Sequence, residues 1–369
     1  MVSFELSDEQ KMIQETCSSF AADHMYPAMR EADESGEIPE EIISRGWELG
    51  LVGGCIPEEY EGFGEGLNAL NMVIALEELA WGDLSMAMHL LSPTVLAFSV
   101  LDQGTEEQKK NLLPRYCGEE FKPASSALVE PYYDFCPSAI RTVADRDGEE
   151  FVINGAKCLA PLAKESDHVL VFAATNPGMG FAGVDAFIVP VGTKGMEIGE
   201  REKNMGLKAL ATYPINFKDC RVPLAARLGG EEGCDFLRLL SRSRLALAAL
   251  AVGMCRHALE HSRDYARERV AFGEPIGSRQ AIAFMIAEMA IEVDATRLLV
   301  WEAAWRCDKG MDFAKEAALA KNYAADVAMM VGDRSVQIMG GHGYIRDNPV
   351  ELWFRNARGF ATFEGMVMV

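Results

Sequence analysis

Four short runs decide the fold: Phe151-Val152-Ile153, Val169-Leu170-Val171-Phe172, Ala186-Phe187-Ile188-Val189 and residues 213–217. Each is rich in Val, Ile or Phe, and Gly, Asp, Asn and Pro stand between them. That texture predicts a compact antiparallel, barrel-like β unit over residues 121–228. Both flanks carry a helical period instead. Upstream, over residues 1–120, Ser7 with Gln10 spells a capping box, and Ile13, Cys17 and Phe20 follow at helical spacing. Thr105 with Gln108 repeats the device ahead of Asn111-Leu112-Leu113, where Pro114 marks a stop. Residues 68–80 form a strongly apolar helix, and the Gly-rich segment 62–66 a loop. Downstream, over residues 229–369, long helical segments are expected at about 234–269, 278–309, 313–339 and 349–363. Joined by short Gly-containing turns, they predict a four-helix bundle. The chain is therefore expected to be mainly α with a β middle domain.

Bulk properties narrow the function. The 369 residues exceed one hydrophobic core, and 49% hydrophobic with 25% charged residues suits a soluble globular protein. The opening MVSFELSDEQ lacks the basic-then-apolar pattern of a secretory signal. The longest apolar stretch, 245–255, is too short to span a bilayer and follows Arg242 and Arg244. A cytoplasmic location is expected. Nine scattered cysteines without a CxxC pair argue against a disulfide framework and a structural zinc site, and no metal is expected. A net charge of −21 disfavours nucleic acid and anionic membranes as partners. It leaves room for an anionic ligand, since a local arginine cluster can hold a pyrophosphate.

No single short motif is decisive: there is no P-loop, no GxGxxG after a strand, no HExxH and no GxSxG. His342, in Gly340-Gly341-His342-Gly343, reads as a solvated or capping residue of a glycine turn more readily than as a base. The joint order of longer phrases carries more. Leu6-Ser7-Asp8-Glu9-Gln10 and Pro57-Glu58-Glu59-Tyr60-Glu61-Gly62-Phe63-Gly64 stand near the start. Glu130-Pro131, Ile153-Asn154-Gly155-Ala156-Lys157 and Phe217-Lys218-Asp219-Cys220-Arg221-Val222-Pro223 lie in the middle. Tyr265-Ala266-Arg267-Glu268-Arg269, Phe272-Gly273, Gln280-Ala281-Ile282, 337–344 and Phe363-Glu364-Gly365 follow. On these phrases the chain resembles the acyl-CoA dehydrogenase family over essentially its whole length.

The resemblance implies an FAD-dependent enzyme that introduces an α,β double bond into an acyl-CoA thioester. A carboxylate removes the α-proton while the β-hydrogen leaves as hydride to flavin N5. Hydrogen bonds to the thioester oxygen stabilise the developing enolate. By resemblance they come from a flavin ribityl hydroxyl and the backbone N–H of the catalytic Glu. Glu364 matches the base, and its neighbours Phe360, Ala361, Phe363, Gly365 and Met366 suggest an apolar, desolvating setting. Locally it reads equally as a solvent-facing Glu. Arg269 matches a clamp on the flavin pyrophosphate, the alternative being a surface helix arginine. Phe272, Gln280, Gln337, Gly340 and Gly341 match positions that wrap the ADP part of FAD, largely from a neighbouring subunit. Arg244, Phe363 and Gly365 match positions at the substrate; Arg244 reads equally as half of a buried ion pair. Partners implied by the resemblance are an acyl-CoA thioester, an electron-transfer flavoprotein or similar acceptor, and other subunits of a dimer or tetramer.

The chain departs from the family where the flavin ring should be held. Val129 replaces the Thr of Thr-Glu-Pro, and Tyr132 to Ser138 replace the usual Gly-Ser-Asp stretch. Leu159-Ala160-Pro161 stands where Trp-Ile-Thr or Trp-Ile-Ser is usual, so a stacking ring and a hydroxyl to N5 are missing. Glu-Gly-Thr becomes Glu364-Gly365-Met366, and the sequence reaches its last residue at Val369 where relatives run into another helix. Each lost hydrogen bond costs about 0.5–1.5 kcal/mol, and four or five together would weaken flavin binding by powers of ten. Because the ADP handle is retained, a second expectation stands beside the active dehydrogenase. It is a helper subunit that completes the FAD site of a related partner chain in a hetero-oligomer.

Overall fold

A computed structural model describes residues 5–369; the first four residues of the expected N-terminal unit lie outside the described residues. That unit is helical: α1 (Asp8–Phe20), α2 (Tyr26–Ser35), α3 (Glu40–Trp47), α4 (Ala69–Gly82), α5 (Leu84–Leu90), α6 (Thr94–Gln103) and α7 (Glu106–Leu112). Both expected capping boxes form. The Gln10 N–H donates to Ser7 Oγ at 3.2 Å and the Gln108 N–H to Thr105 Oγ1 at 3.2 Å, with each glutamine side chain accepting in return. Helix α4 is apolar nearly all round and buried on most of its surface, which makes it the central rod of this unit.

The middle unit is a curled seven-stranded sheet: β1 (Ser125–Ala127), β2 (Val143–Asp147), β3 (Glu150–Pro161), β4 (His168–Ala174), β5 (Val184–Pro190), β6 (Met196–Ile198) and β7 (Thr212–Pro223). Its order is β1-β4-β2-β3-β7-β6, with β5 paired to β4. The ladders are antiparallel, as expected from short apolar runs separated by turn residues, except that β4 meets β1 and β2 in parallel. The long β3–β7 ladder slips register between Ile153 and Gly155 and again between Lys157 and Ala160. Such bulges bend a strand and re-aim its side chains.

The last unit is built on three long helices, α8 (Phe236–Glu268), α9 (Gln280–Asp308) and α10 (Ala314–Met339). Asp235 caps α8 through the Arg238 N–H at 3.0 Å. A two-residue hairpin, β8 (Val270–Ala271) and β9 (Glu274–Pro275), joins α8 to α9. A short turn of helix, α11 (Gly341–Tyr344), follows α10. The fourth long helix expected over 349–363 is not continuous. It is α12 (Val350–Ala357), then a tight turn over Arg358–Ala361. The Thr362 and Phe363 N–H groups fold back onto the Gly359 carbonyl, and the Phe363 ring lies where a side chain at 359 would be. Glycine at 359 thus lets the chain reverse, and Glu364 follows in a loop.

Asp83 joins α4 to α5 and caps α5 through the Met86 N–H at 2.8 Å, yet it is fully buried. Burial pushes its carboxyl up from 3.8 to about 7. A raised folded-state value means that Asp83's contribution is fully present below about pH 3.8 and is lost as pH rises through about 7. Asp83→Asn keeps a capping oxygen and removes the titration. Its melting temperature relative to wild type should therefore rise between pH 4 and 7 and then level off, as thermal melts across that range would show.

Candidate active site

Glu364 stands at the meeting point of the middle and last units. Gly365 turns the chain there in the left-handed region (φ +74), and a side chain in its place would press on Leu128. The Ser126 hydroxyl of β1 donates to the Gly365 carbonyl. The Glu364 side chain is only 9% exposed. Its carboxylate meets two cations. Arg244 Nε lies 3.1 and 3.2 Å from the two oxygens and Arg244 Nη2 lies 3.0 Å from Oε1, while Lys321 Nζ is 3.4 Å from Oε1.

The setting is thus desolvated but not apolar, which corrects the expectation drawn from its sequence neighbours. Phe360 and Phe363 turn toward each other, edge to face at 5.9 Å, rather than sheathing the carboxylate alone. Arg244 forms the buried ion pair that is one of its two readings. Lys321 was not singled out from sequence. Its signal was present: a lysine among Ala317, Ala320 and Ala324 on the buried face of α10 is rarely buried without a partner.

Val129 and Leu159, the positions expected at the flavin ring, adjoin one another. The Cys158 N–H donates to the Val129 carbonyl at 2.9 Å. Leu159 sits at φ +54 in the bulge of β3, and its N–H donates to the Glu202 carboxylate at 3.0 Å. A depression lined by Leu159, Asn204, Thr212, Thr362 and Phe363 opens between β3 and the C-terminal turn. Behind it, Glu130 accepts the Arg141 and Thr142 N–H groups at 2.8 Å and the Lys157 ammonium at 3.0 Å. Burial works to raise the Glu130 carboxyl, but the Lys157 charge and these donors outweigh it and hold it below the usual range. Burial pushes the Lys157 ammonium down to about 8, against the pull of Glu130.

The expected dinucleotide handle lies elsewhere, on the surface shared by the β8–β9 hairpin, the start of α9 and the end of α10. Arg269 closes α8, Phe272 tops the hairpin, Gln280 opens α9, Gln337 lies in the last turn of α10, Gly340 caps it and Gly341 opens α11. All six are exposed, Phe272 at 95%. A depression lined by Phe272, Ile276, Arg279, Ile282 and Ile338 links the three elements. Arg279, absent from the expected set, holds its guanidinium 6.0 Å from the Phe272 ring centre. Gly340 adopts φ +57, ψ −129, a conformation open in practice only to glycine, and among the described residues nothing beyond its chain neighbours lies within 4 Å of where a Cβ would be. An exposed cation, an exposed ring and backbone with open space above it fit the ADP half of a dinucleotide. At the ring half, Val129 and Leu159-Ala160-Pro161 offer hydrocarbon and backbone but no side-chain hydroxyl.

Breaking a buried ion pair from one side leaves an uncompensated charge, at a cost of about 3–5 kcal/mol. Arg244→Gln leaves the Glu364 carboxylate to Lys321 and should destabilise the fold by about 3 kcal/mol, and adding Glu364→Gln should deepen the loss, because it strands the buried Lys321 ammonium. Urea denaturation of the two single variants and the double variant measures both effects.

Most of the chain matches three domain models of one family. These are the acyl-CoA dehydrogenase N-terminal domain over residues 7–120, its middle domain over 127–220 and its C-terminal domain over 235–367. The mitochondrial short-chain specific acyl-CoA dehydrogenase of Bos taurus is 34% identical over 98% of this chain and 88% of its own. Acryloyl-CoA reductase (NADH) of Anaerotignum propionicum is 36% identical over 98% of this chain and 92% of its own. The solved butyryl-CoA dehydrogenase of Megasphaera elsdenii superposes with a TM-score of 0.88 at 33% identity, covering 98% of this chain and 96% of its own. With all three units matched in order and the same architecture in three dimensions, the chain belongs to the acyl-CoA dehydrogenase family of oxidoreductases.

Proposed function

We propose that this protein is an FAD-dependent dehydrogenase of an acyl-CoA thioester, with Glu364 as the base that removes the α-proton. The observation that carries this reading is a carboxylate held out of water at the junction of the β unit and the bundle, beside the Leu159–Phe363 depression. Oε1 takes three of the cationic contacts and Oε2 only one, at 3.2 Å. Oε2 therefore keeps a lone pair for the substrate proton. The Glu364 N–H donates to no group among the described residues, which leaves it for the thioester oxygen as the enolate develops. Arg244 and Lys321 hold the carboxylate in one place, so little orientation is left to be arranged in the transition state. Arg269, Phe272, Gln280, Gln337, Gly340 and Gly341 would hold the ADP part of FAD, and Val129 and Leu159 would lie at the ring. FAD, when bound, supplies the acceptor for the β-hydrogen. Phe363 and Gly365 shape the wall on which the thioester rests. An electron-transfer flavoprotein or similar protein would take the electrons onward.

A helper subunit is the second reading, favoured by one observation: the ring-side positions Val129 and Pro161 carry no hydroxyl while the handle residues stand free on the surface. Flavin content separates the two. One FAD per chain in the purified protein supports the dehydrogenase; a chain that stays colourless with excess FAD supports the helper. On the first reading, Glu364→Gln should retain flavin and lose at least about 100-fold in turnover of short acyl-CoA with an artificial electron acceptor. Undiminished turnover would remove Glu364 from the mechanism.

The same reading includes a homo-oligomer. Phe284, Ile291, Leu298 and Trp305 recur every seventh residue along α9, and all four are exposed. Seven residues make two turns, so they form one apolar stripe suited to a second copy. Leu298→Asp should lower the mass seen by light scattering toward that of one chain. No single helix among the described residues is long and apolar enough to cross a membrane, and none of the nine cysteines is in a disulfide.

A further inference from the structure

The depression beside Leu159 carries two arginines and no acid in its lining. They differ in what their charge meets. Arg355 is saturated. It donates to the two oxygens of buried Asp33 at 3.0 and 2.7 Å, to Glu351 at 2.8 Å and to the Met205 carbonyl at 3.1 Å. Arg358 is exposed, and its guanidinium meets no carboxylate or carbonyl among the described residues. Of the two, Arg358 is the one whose charge is uncompensated.

An opposite charge stands behind Leu159. Glu202 accepts the Leu159 N–H at 3.0 Å and forms no ion pair among the described residues. The neutral polar side chains of the lining are engaged within the chain. Asn204 donates to Thr212 Oγ1 at 2.9 Å, and the Thr362 hydroxyl donates to the Gly359 carbonyl at 2.9 Å. The chain therefore acts on a group in this depression chiefly through a field, negative behind Leu159 and positive at Arg358. That field is screened while the depression faces water and strengthens once a ring covers it.

On the dehydrogenase reading, Leu159 lies at the flavin ring and Glu364 takes the α-proton. The β-hydrogen then leaves the substrate with its electron pair, and one negative charge arrives at the ring without a proton to balance it. Glu202 by itself opposes that charge. We infer that Arg358 offsets the charge of the reduced ring and thereby sets the reduction potential of the bound flavin. The inference rests on the dehydrogenase reading. The other role open to Arg358 is to face the last carbonyls of α12, whose C-cap it is. That role would alter stability and leave the potential where it is.

The test is the two-electron midpoint potential of the flavin-bound protein, titrated without oxygen against a reference dye. Wild type, Arg358→Gln, Arg358→Lys and Glu202→Gln are compared, with binding of oxidised FAD measured on the same samples. Arg358→Gln should bind oxidised FAD as wild type does, yet favour the reduced form about tenfold less, a fall of about 30 mV. Arg358→Lys should keep the wild-type potential. Glu202→Gln retains an oxygen for the Leu159 N–H and should raise the potential, because it removes the opposing charge. A potential unmoved or raised in Arg358→Gln overturns the inference, and so does failure of that variant to hold oxidised FAD. A fall in Arg358→Lys as large as in Arg358→Gln, or no rise in Glu202→Gln, overturns charge as the cause. Wild type that holds no flavin in excess FAD overturns the dehydrogenase reading itself.

Discussion

The buried cluster of Glu364, Arg244 and Lys321 ties the molecule together. It joins the C-terminal loop to α8 and α10, across 120 residues in the case of Arg244. In a low-dielectric interior neither the carboxylate nor the cations can be left alone, because the desolvation cost of one charge is several kcal/mol. Each therefore requires the others, and the loop cannot leave without stranding two positive charges. The inward turn at Gly365 follows from that anchor.

A second buried pair, Lys157 with Glu130, does comparable work in the β unit. Glu130 gathers two backbone N–H groups and one ammonium, and so holds the end of β1 against β3. That contact sets Val129 beside Cys158 and Leu159, which is why residues 30 positions apart in sequence share one surface. The bulge that lifts Leu159 into the left-handed region then gives its N–H to Glu202. The surface at Val129 and Leu159 thus offers backbone and hydrocarbon, and the hairpin surface offers the charge of Arg269 beside the exposed Phe272 ring. On the proposed reading the two surfaces would divide recognition of FAD between them, one shaping and the other gripping.

Much of the architecture was legible because its causes are local. Ser7 with Gln10 and Thr105 with Gln108 cap helices through contacts three residues long, and they form as written. The β runs are short Val-, Ile- or Phe-rich stretches bounded by turn residues, and β4 and β5 are buried along nearly their whole length. The parallel pairing of β1 with β4 was not legible, since nothing in a strand's own pattern states which neighbour it meets or in what direction. Nor was the early end of α12. Helical periodicity runs through residue 363, but the Phe363 ring packs onto Gly359 and folds the chain back. Lys321 looked like one cation among many until α10 turned it inward.

The sequence by itself determined the order of the three units, their caps, and the identity of the candidate base, because these rest on periodicity, short-range hydrogen bonds and ordered phrases. Only the tertiary structure decided what surrounds that base. Glu364 has apolar neighbours in the chain but cationic ones in space, and it is buried although its local sequence reads equally as solvent-facing. The reason is physical: a buried charge is compensated by whatever partner the fold brings within about 3 Å, and sequence proximity carries no information about which partner that is.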